Sequence, residues 1–371
     1  MENSIIIGNS SNSVSLESEM QGTFLTKNQA REMPLYQYYS YFVKVYKAGR
    51  VAKVTLNKHM MVARRLKEIA PKMKLKDVDG NRQNIQLILD IYGKNHMKQT
   101  TLDFKGNLIE SLRAAVDDGY ISQISDRNFK VRTKESYMDA KEVAELHKRP
   151  KTISSSDFMM LKLRVDVILE DLLQKEPIWS SNCGHVAPSM LCDQSKYLVL
   201  SILMHTGCRF SEALGITIKD VNELSIQINK SWDYKEHPNC FKKTKNSYSM
   251  RDVRVDKTIV DLLIKFDEWK RKYSQYGSDD PIWKTNEANV NSSGFIALFR
   301  RIQKKYGVEE NISIHKIRHT YISYMLERGI DENLIAAQVG HADTNMIHKV
   351  YGHLLKDREE KDVLKIRAFM R

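Results

Sequence analysis

One stretch of this chain breaks the rule that the rest obeys. Almost everywhere, apolar side chains recur at the three-to-four-residue spacing of a helix. Between Asn222 and Val255 the period shifts towards two. "LSIQINKSW" and "SMRDVRVDK" alternate apolar with polar, and the polar, basic "FKKTKNSYS" separates them. That pattern predicts a small antiparallel sheet with a basic turn, set into a mainly helical protein.

The helical parts fall into two groups. With 371 residues the chain has room for two or three domains. Residues 1–30 are rich in Ser, Asn and Gln and read as a polar tail, weakly ordered or serving as a short arm that docks on a partner. Residues 31–129 predict a helical domain of four helices. The second of them, "TLNKHMMVARRLKEIAPKM", starts from Thr55 as a cap and ends near Pro71. It carries Arg64 and Arg65, a basic face that either touches phosphates or is simply solvated. Residues 130–137, polar and basic, read as a linker. From 138 to 371 a second domain follows, and the stretch 151–195 reads as an insertion within it, with no chemistry of its own. "SGFIALFRRIQKKYG" is a helix presenting Arg300, Arg301, Lys304 and Lys305.

Composition narrows the class. At 42% hydrophobic residues the chain has enough apolar material for a sizeable core. A net charge of +13 suggests a polyanionic partner, nucleic acid or a membrane surface. There is no run of 18 apolar residues for a membrane span and no secretory signal. Four cysteines in a chain of this length make no disulfide framework, so a reducing cytoplasm is the expected location. Cys183, His185, Cys192, His237 and Cys240 match no paired zinc spacing, and no metal or cofactor is expected.

Several polar residues stand out one by one, each with an ordinary alternative. Arg209 and Glu212 share a helix face and suit a structural ion pair. His315, Arg318 and His319 suit a partly buried helix start. His341 follows Gly340 at a helix boundary, and Tyr351 suits core packing. Taken together they supply phosphodiester chemistry without metal. Guanidinium groups hold non-bridging oxygens, a Tyr hydroxyl is a nucleophile, a Lys ammonium protonates a leaving oxygen, and imidazoles donate or move protons.

The order and spacing of these residues resemble the tyrosine recombinase (phage integrase) family. "HTGCRFSEALGI" resembles its first arginine box, and puts the first arginine at Arg209 with Glu212 as its supporting acid. "SIHKIRHTYISYMLERGID" resembles its HxxRH box and supplies His315 and Arg318, with His319 beside them. "AAQVGHADTNMIHKVYGH" supplies His341 and the nucleophile Tyr351. The family lysine lies in a hairpin turn. Lys245, six residues before Arg251, fits best, and Lys243 is the alternative. The strand "RDVRV" lacks the Pro often found there.

The resemblance implies a fold that is mainly α with a small antiparallel sheet. In it a helical, SAM-like core-binding domain and a catalytic domain form a C-shaped clamp on DNA. Lys243, Arg251, Arg300, Arg301, Lys304, Lys305, Arg64 and Arg65 are the candidate DNA contacts. The implied reaction is site-specific recombination for a mobile element. It passes through a 3′-phosphotyrosyl intermediate and a Holliday junction, with neither ATP nor metal. The implied partners are double-stranded DNA with specific recombination sites and three further copies of the chain, as a tetramer on two duplexes. A host bending factor and a small excision factor are possible additions, and no membrane is involved. The alternatives are a Xer-like resolvase, a type IB topoisomerase-like nicking and resealing activity, and a non-enzymatic DNA-binding protein of the same fold.

Overall fold

A computed structural model describes residues 25–124, 129–147, 152–179, 191–235, 240–244, 247–288, 290–309, 311–348 and 351. The chain divides into two compact units, Met1–Lys148 and Arg149–Arg371.

The first unit is helical. Its elements are α1 (Lys27–Glu32), α2 (Leu35–Phe42), α3 (Lys53–Ile69), α4 (Arg82–Lys94), α5 (Lys98–Asp117) and α6 (Ala140–His147). The four expected helices are α2 to α5. Each turns one apolar stripe inward, so that Leu35, Tyr38, Leu66, Ile85, Leu89, Leu108 and Leu112 make one buried core. Two expectations about its edges change. The polar tail ends earlier than residue 30, because Thr26 and Gln29 form a reciprocal cap on α1 and Ala30 is fully buried. Helix α3 starts two residues before Thr55, at Lys53, and stops at Ile69 ahead of Pro71. The units part between Lys148 and Arg149, later than the expected linker at 130–137. Phe129 is buried against the first core, and Asp139 caps α6 through the Glu142 amide at 2.7 Å.

The second unit surrounds one nearly all-buried helix, α8 (Asp193–Thr206), in which every residue from Leu198 to Thr206 is buried. Against it pack α7 (Ser155–Leu173), α10 (Lys257–Tyr273), α11 (Ser292–Lys305) and α12 (Ile314–Glu327). Helix α9 (Phe210–Ala213) is a single turn, and α13 (Glu332–Val339) follows α12.

Helix α7 corrects the expected insertion at 151–195. Phe158, Leu161, Val165 and Leu169 of α7 lie in the centre of the core, so this segment is part of the unit itself. A polar tie fastens it there. Asp166 of α7 accepts from Ser201 at 2.6 Å and meets His205 Nε2 at 2.9 Å. His205 Nδ1 lies 3.2 Å from Asp256, the cap of α10. The reading failed because α7 is followed by a long polar stretch that offers no periodicity. Of that stretch, 180–190 lie outside the described residues.

The strand signal splits in two. β2 (Ser225–Ile228) pairs antiparallel with β1 (Val221–Asn222) and with β5 (Arg251–Arg254), in the order β1-β2-β5. β3 (Lys230–Asp233) pairs with β4 (Cys240–Lys243) as a separate hairpin. The break falls at Asn229. Its amide nitrogen donates to Asp220 Oδ1 at 2.9 Å, and Lys230 Nζ also bonds buried Asp220. Trp232 anchors the hairpin to the core beside Trp283.

Candidate active site

The site forms where α8 ends. Gly207 terminates the helix in the left-handed region, φ +60°, and the ring of Tyr321 lies 2.5 Å from where a Cβ would stand. Two residues on, Arg209 opens the short α9. Glu212 reaches back to cap it, accepting from the Arg209 amide at 3.1 Å and from Arg209 Nη1 at 2.7 Å. Oε2, which accepts from the amide, also accepts from Arg251 Nη2 at 2.9 Å. Glu212 is buried. Burial alone pushes its carboxyl up, but Arg251 and then Arg209 overcome this and hold it below the ordinary range.

Three arginines from three elements meet the end of one helix. The last carbonyls of α13 have no partner within the helix. Arg251 Nε donates to the Gln338 carbonyl at 2.8 Å, Arg318 Nη1 to Val339 at 2.5 Å, and Arg209 Nη2 to Gly340 at a longer 3.4 Å. A cation at a helix C-terminus is favoured by the helix dipole. Arg318 also donates to the Gly207 carbonyl at 3.1 Å, joining the two helix ends. Gly340 is left-handed, φ +73°, and a Cβ on it would lie 2.7 Å from Arg251 Nη1. His341 follows directly.

The resulting field is strongly positive. Burial, then Arg209, draws the Arg318 guanidinium down to about 10, still charged at neutral pH. Burial, then Arg318 and Arg209, pushes the His341 imidazole down to about 4, so it is neutral there. Among the described residues, Arg318 Nη2 and His341 Nδ1 are buried and have no hydrogen-bond partner. Such groups are costly unless an anion or a polar ligand completes them.

Tyr351 is buried. Its hydroxyl lies 2.6 Å from His319 Nδ1 and 3.2 Å from the His319 carbonyl. Burial raises the phenol above its ordinary value, against the opposing pull of Arg318. His315 is exposed at the start of α12, edge-on to Phe210 at 6.3 Å between ring centroids. Burial and Lys235 lower its imidazole.

The structure therefore gathers Arg209, Glu212, Arg318 and His341, and pairs His319 with Tyr351. Lys245 lies outside the described residues, and Lys243 is exposed at the end of β4. One expectation is overturned. Arg251 was a candidate DNA contact, yet its side chain is only 7% exposed and is used up on Glu212 and two carbonyls. Its charge was legible in the sequence, but its burial was not. Arg300, Arg301, Lys304 and Lys305 are exposed on the far half of α11. The near end of that helix, Phe295, touches Phe210 at 5.0 Å between centroids, and at 1.5 Å per residue Lys304 lies roughly 13 Å further along. Arg64 is exposed in the other unit, and its neighbour Arg65 pairs with Glu68 at 2.6 Å. Among the described residues no helix is long and apolar enough to cross a membrane.

Comparison with known proteins bears on the same segment. Residues 189–358 match the family model described as the phage integrase family. The chain is 26% identical over 181 residues to tyrosine recombinase XerD of Listeria monocytogenes, covering 48% of this chain and 55% of that protein. It is 22% identical over 165 residues to the ICEBs1 integrase of Bacillus subtilis, covering 42% and 44%. The chain thus spans about half the length of the curated relatives it matches. In fold it is similar to the Tn1549 transposon integrase, solved in complex with transposon right end DNA. The TM-score is 0.62 at 16% identity, over 89% of this chain and 99% of that one.

Proposed function

We propose that this chain, which matches the phage integrase family over residues 189–358, is a site-specific DNA recombinase of a mobile element. The observation that carries the reading is the cradle at the end of α13. There Arg209, Arg318 and His341 converge, with two buried polar atoms left for an anion. A phosphodiester has the right charge and the right set of acceptor oxygens.

In this reading Tyr351 attacks the scissile phosphate and forms a 3′-phosphotyrosyl bond. Arg209 and Arg318 hold the non-bridging oxygens, where charge builds in the transition state. Glu212 and Arg251 keep Arg209 in place. His315 and His341 donate to the phosphate. Neutral His341 gains its positive charge more readily once an anion sits beside it. Lys245 protonates the departing 5′ oxygen, with Lys243 as the alternative donor. A free 5′ hydroxyl from a partner strand then attacks the phosphotyrosine, so bond energy is conserved. Both units contact DNA, and the exposed bases Arg64, Arg300, Arg301, Lys304 and Lys305 supply phosphate contacts. Four copies act on two duplexes.

The test uses duplexes selected from a random library by binding to the full chain. Wild type forms a covalent adduct that survives denaturing electrophoresis, and Tyr351→Phe forms none while binding undiminished. An adduct in the Phe variant refutes the nucleophile. Exchange between two plasmid-borne sites separates a recombinase from a topoisomerase-like enzyme, which relaxes supercoils without exchange.

A further inference from the structure

We propose that His319 accepts the proton of Tyr351 during strand cleavage, and is thereby a catalytic residue. The proposal rests on the strand-transfer reading above. The phenol carries one proton and faces two acceptors. Nδ1 of His319 is 2.6 Å away and the His319 carbonyl 3.2 Å. The first distance is that of a strong hydrogen bond and the second is long for an O–H donor. The proton therefore points at Nδ1, which leaves the ring as the tautomer protonated on Nε2.

The other histidines are less suited. His315 sits against Phe210, and no described contact links it to the phenol. Among the described residues His341 Nδ1 has no partner, and its surrounding arginines make it a weak base. His319, in contrast, is fixed in place. It lies on α12 next to Arg318, whose side chain is locked to the Gly207 and Val339 carbonyls. Its ring lies 6.1 Å from the Tyr351 ring, tilted by 43°.

The step balances. Tyr351 Oη forms its bond to phosphorus as its proton passes to His319 Nδ1, giving an imidazolium. The bond from phosphorus to O5′ breaks with its electron pair on oxygen, which takes a proton from the general acid of the cleavage step. On rejoining, the incoming 5′ hydroxyl gives its proton to that same group. His319 then returns its proton to the released phenolate.

Two measurements decide it. Nitrogen-15 histidine spectra of the full chain at neutral pH read the pair without any DNA. The expected result is an unprotonated, hydrogen-bonded Nδ1 on His319 that shifts in Tyr351→Phe. A protonated Nδ1 overturns the proposal. Adduct formation in single turnover on the selected duplex is the second. His319→Gln, which accepts a hydrogen bond but not a proton, and His319→Ala should both slow it by roughly a hundred-fold with binding unchanged. Added imidazole should restore part of the rate to the Ala variant. If wild type and His319→Gln form adduct at the same rate, this proposal alone fails. If wild type forms none on duplexes it binds, the strand-transfer reading fails and takes this one with it.

Discussion

The second unit holds two groups of basic residues in opposite conditions. Arg209, Arg251 and Arg318 converge on the end of α13, tied to carbonyls and to Glu212. Arg300, Arg301, Lys304 and Lys305 stand exposed on α11. The residue types are alike, but the physics is not. Arg251 and Arg318 are enclosed, and Arg209, though half exposed, is tied to Glu212, so bonds to the protein fix where these guanidinium groups lie. An exposed one keeps its water and its rotamers, and acts at a distance through charge alone. The first group sets geometry and the second sets attraction.

Removing Glu212 should separate them most sharply. Glu212→Ala leaves buried Arg251 without its carboxylate and should cost about 3–5 kcal/mol in urea denaturation. Glu212→Gln keeps one acceptor and should cost less. If Glu212→Ala costs no more than a surface change, the arginines are not held as described. Next is Gly207→Ala. The left-handed backbone and the Tyr321 ring at 2.5 Å should together cost about 2–3 kcal/mol, read as a lowered Tm.

His341 sharpens the contrast through pH. Its folded value, about 4, lies below its ordinary 6.5. Between these values the unfolded chain binds more protons than the folded one, so stability rises with pH. It should fall by on the order of 2 kcal/mol on acidification from pH 6.5 to 4. The carboxylate of Glu212 loses its contribution only lower, as pH drops below its ordinary 4.5. Denaturation of His341→Gln across that window should be flatter than wild type, and an equal slope would discount the arginine field. Smallest is the paired change Arg300→Ala with Arg301→Ala. Stability should move by less than about 0.5 kcal/mol. DNA affinity should weaken and its log–log salt slope should fall by about 0.9 for each phosphate that the pair had neutralised. An unchanged slope would remove α11 from the DNA-binding surface.

Sequence reading succeeded where one local signal sufficed. Helices α2 to α5 announce themselves by periodicity. The ordered boxes led to Arg209, Glu212, Arg318 and His341, which the structure brings into one site. It failed where the answer lay in tertiary packing. Arg251 looks like any strand arginine, since nothing nearby in sequence says that Glu212 and Gln338 will enclose it. The stretch 151–195 read as an insertion because a long polar segment follows α7, while Phe158 packs on Tyr324 far along the chain. The strand signal was read in the right place, but Asn229 and Lys230 turning to Asp220 split it into two sheets. The bond from His319 to Tyr351 spans 32 residues and has no periodic signature at all.

The capped end of α13 has a consequence for how the molecule comes into being. The bond from Arg209 to Gly340 closes over 131 residues and the one from Arg251 to Gln338 over 87. Contacts of such separation are among the slowest to form. On a ribosome, all three arginines emerge before the carbonyls that orient them. A chain made only as far as Arg318 therefore carries all three arginines without the carbonyls that orient them.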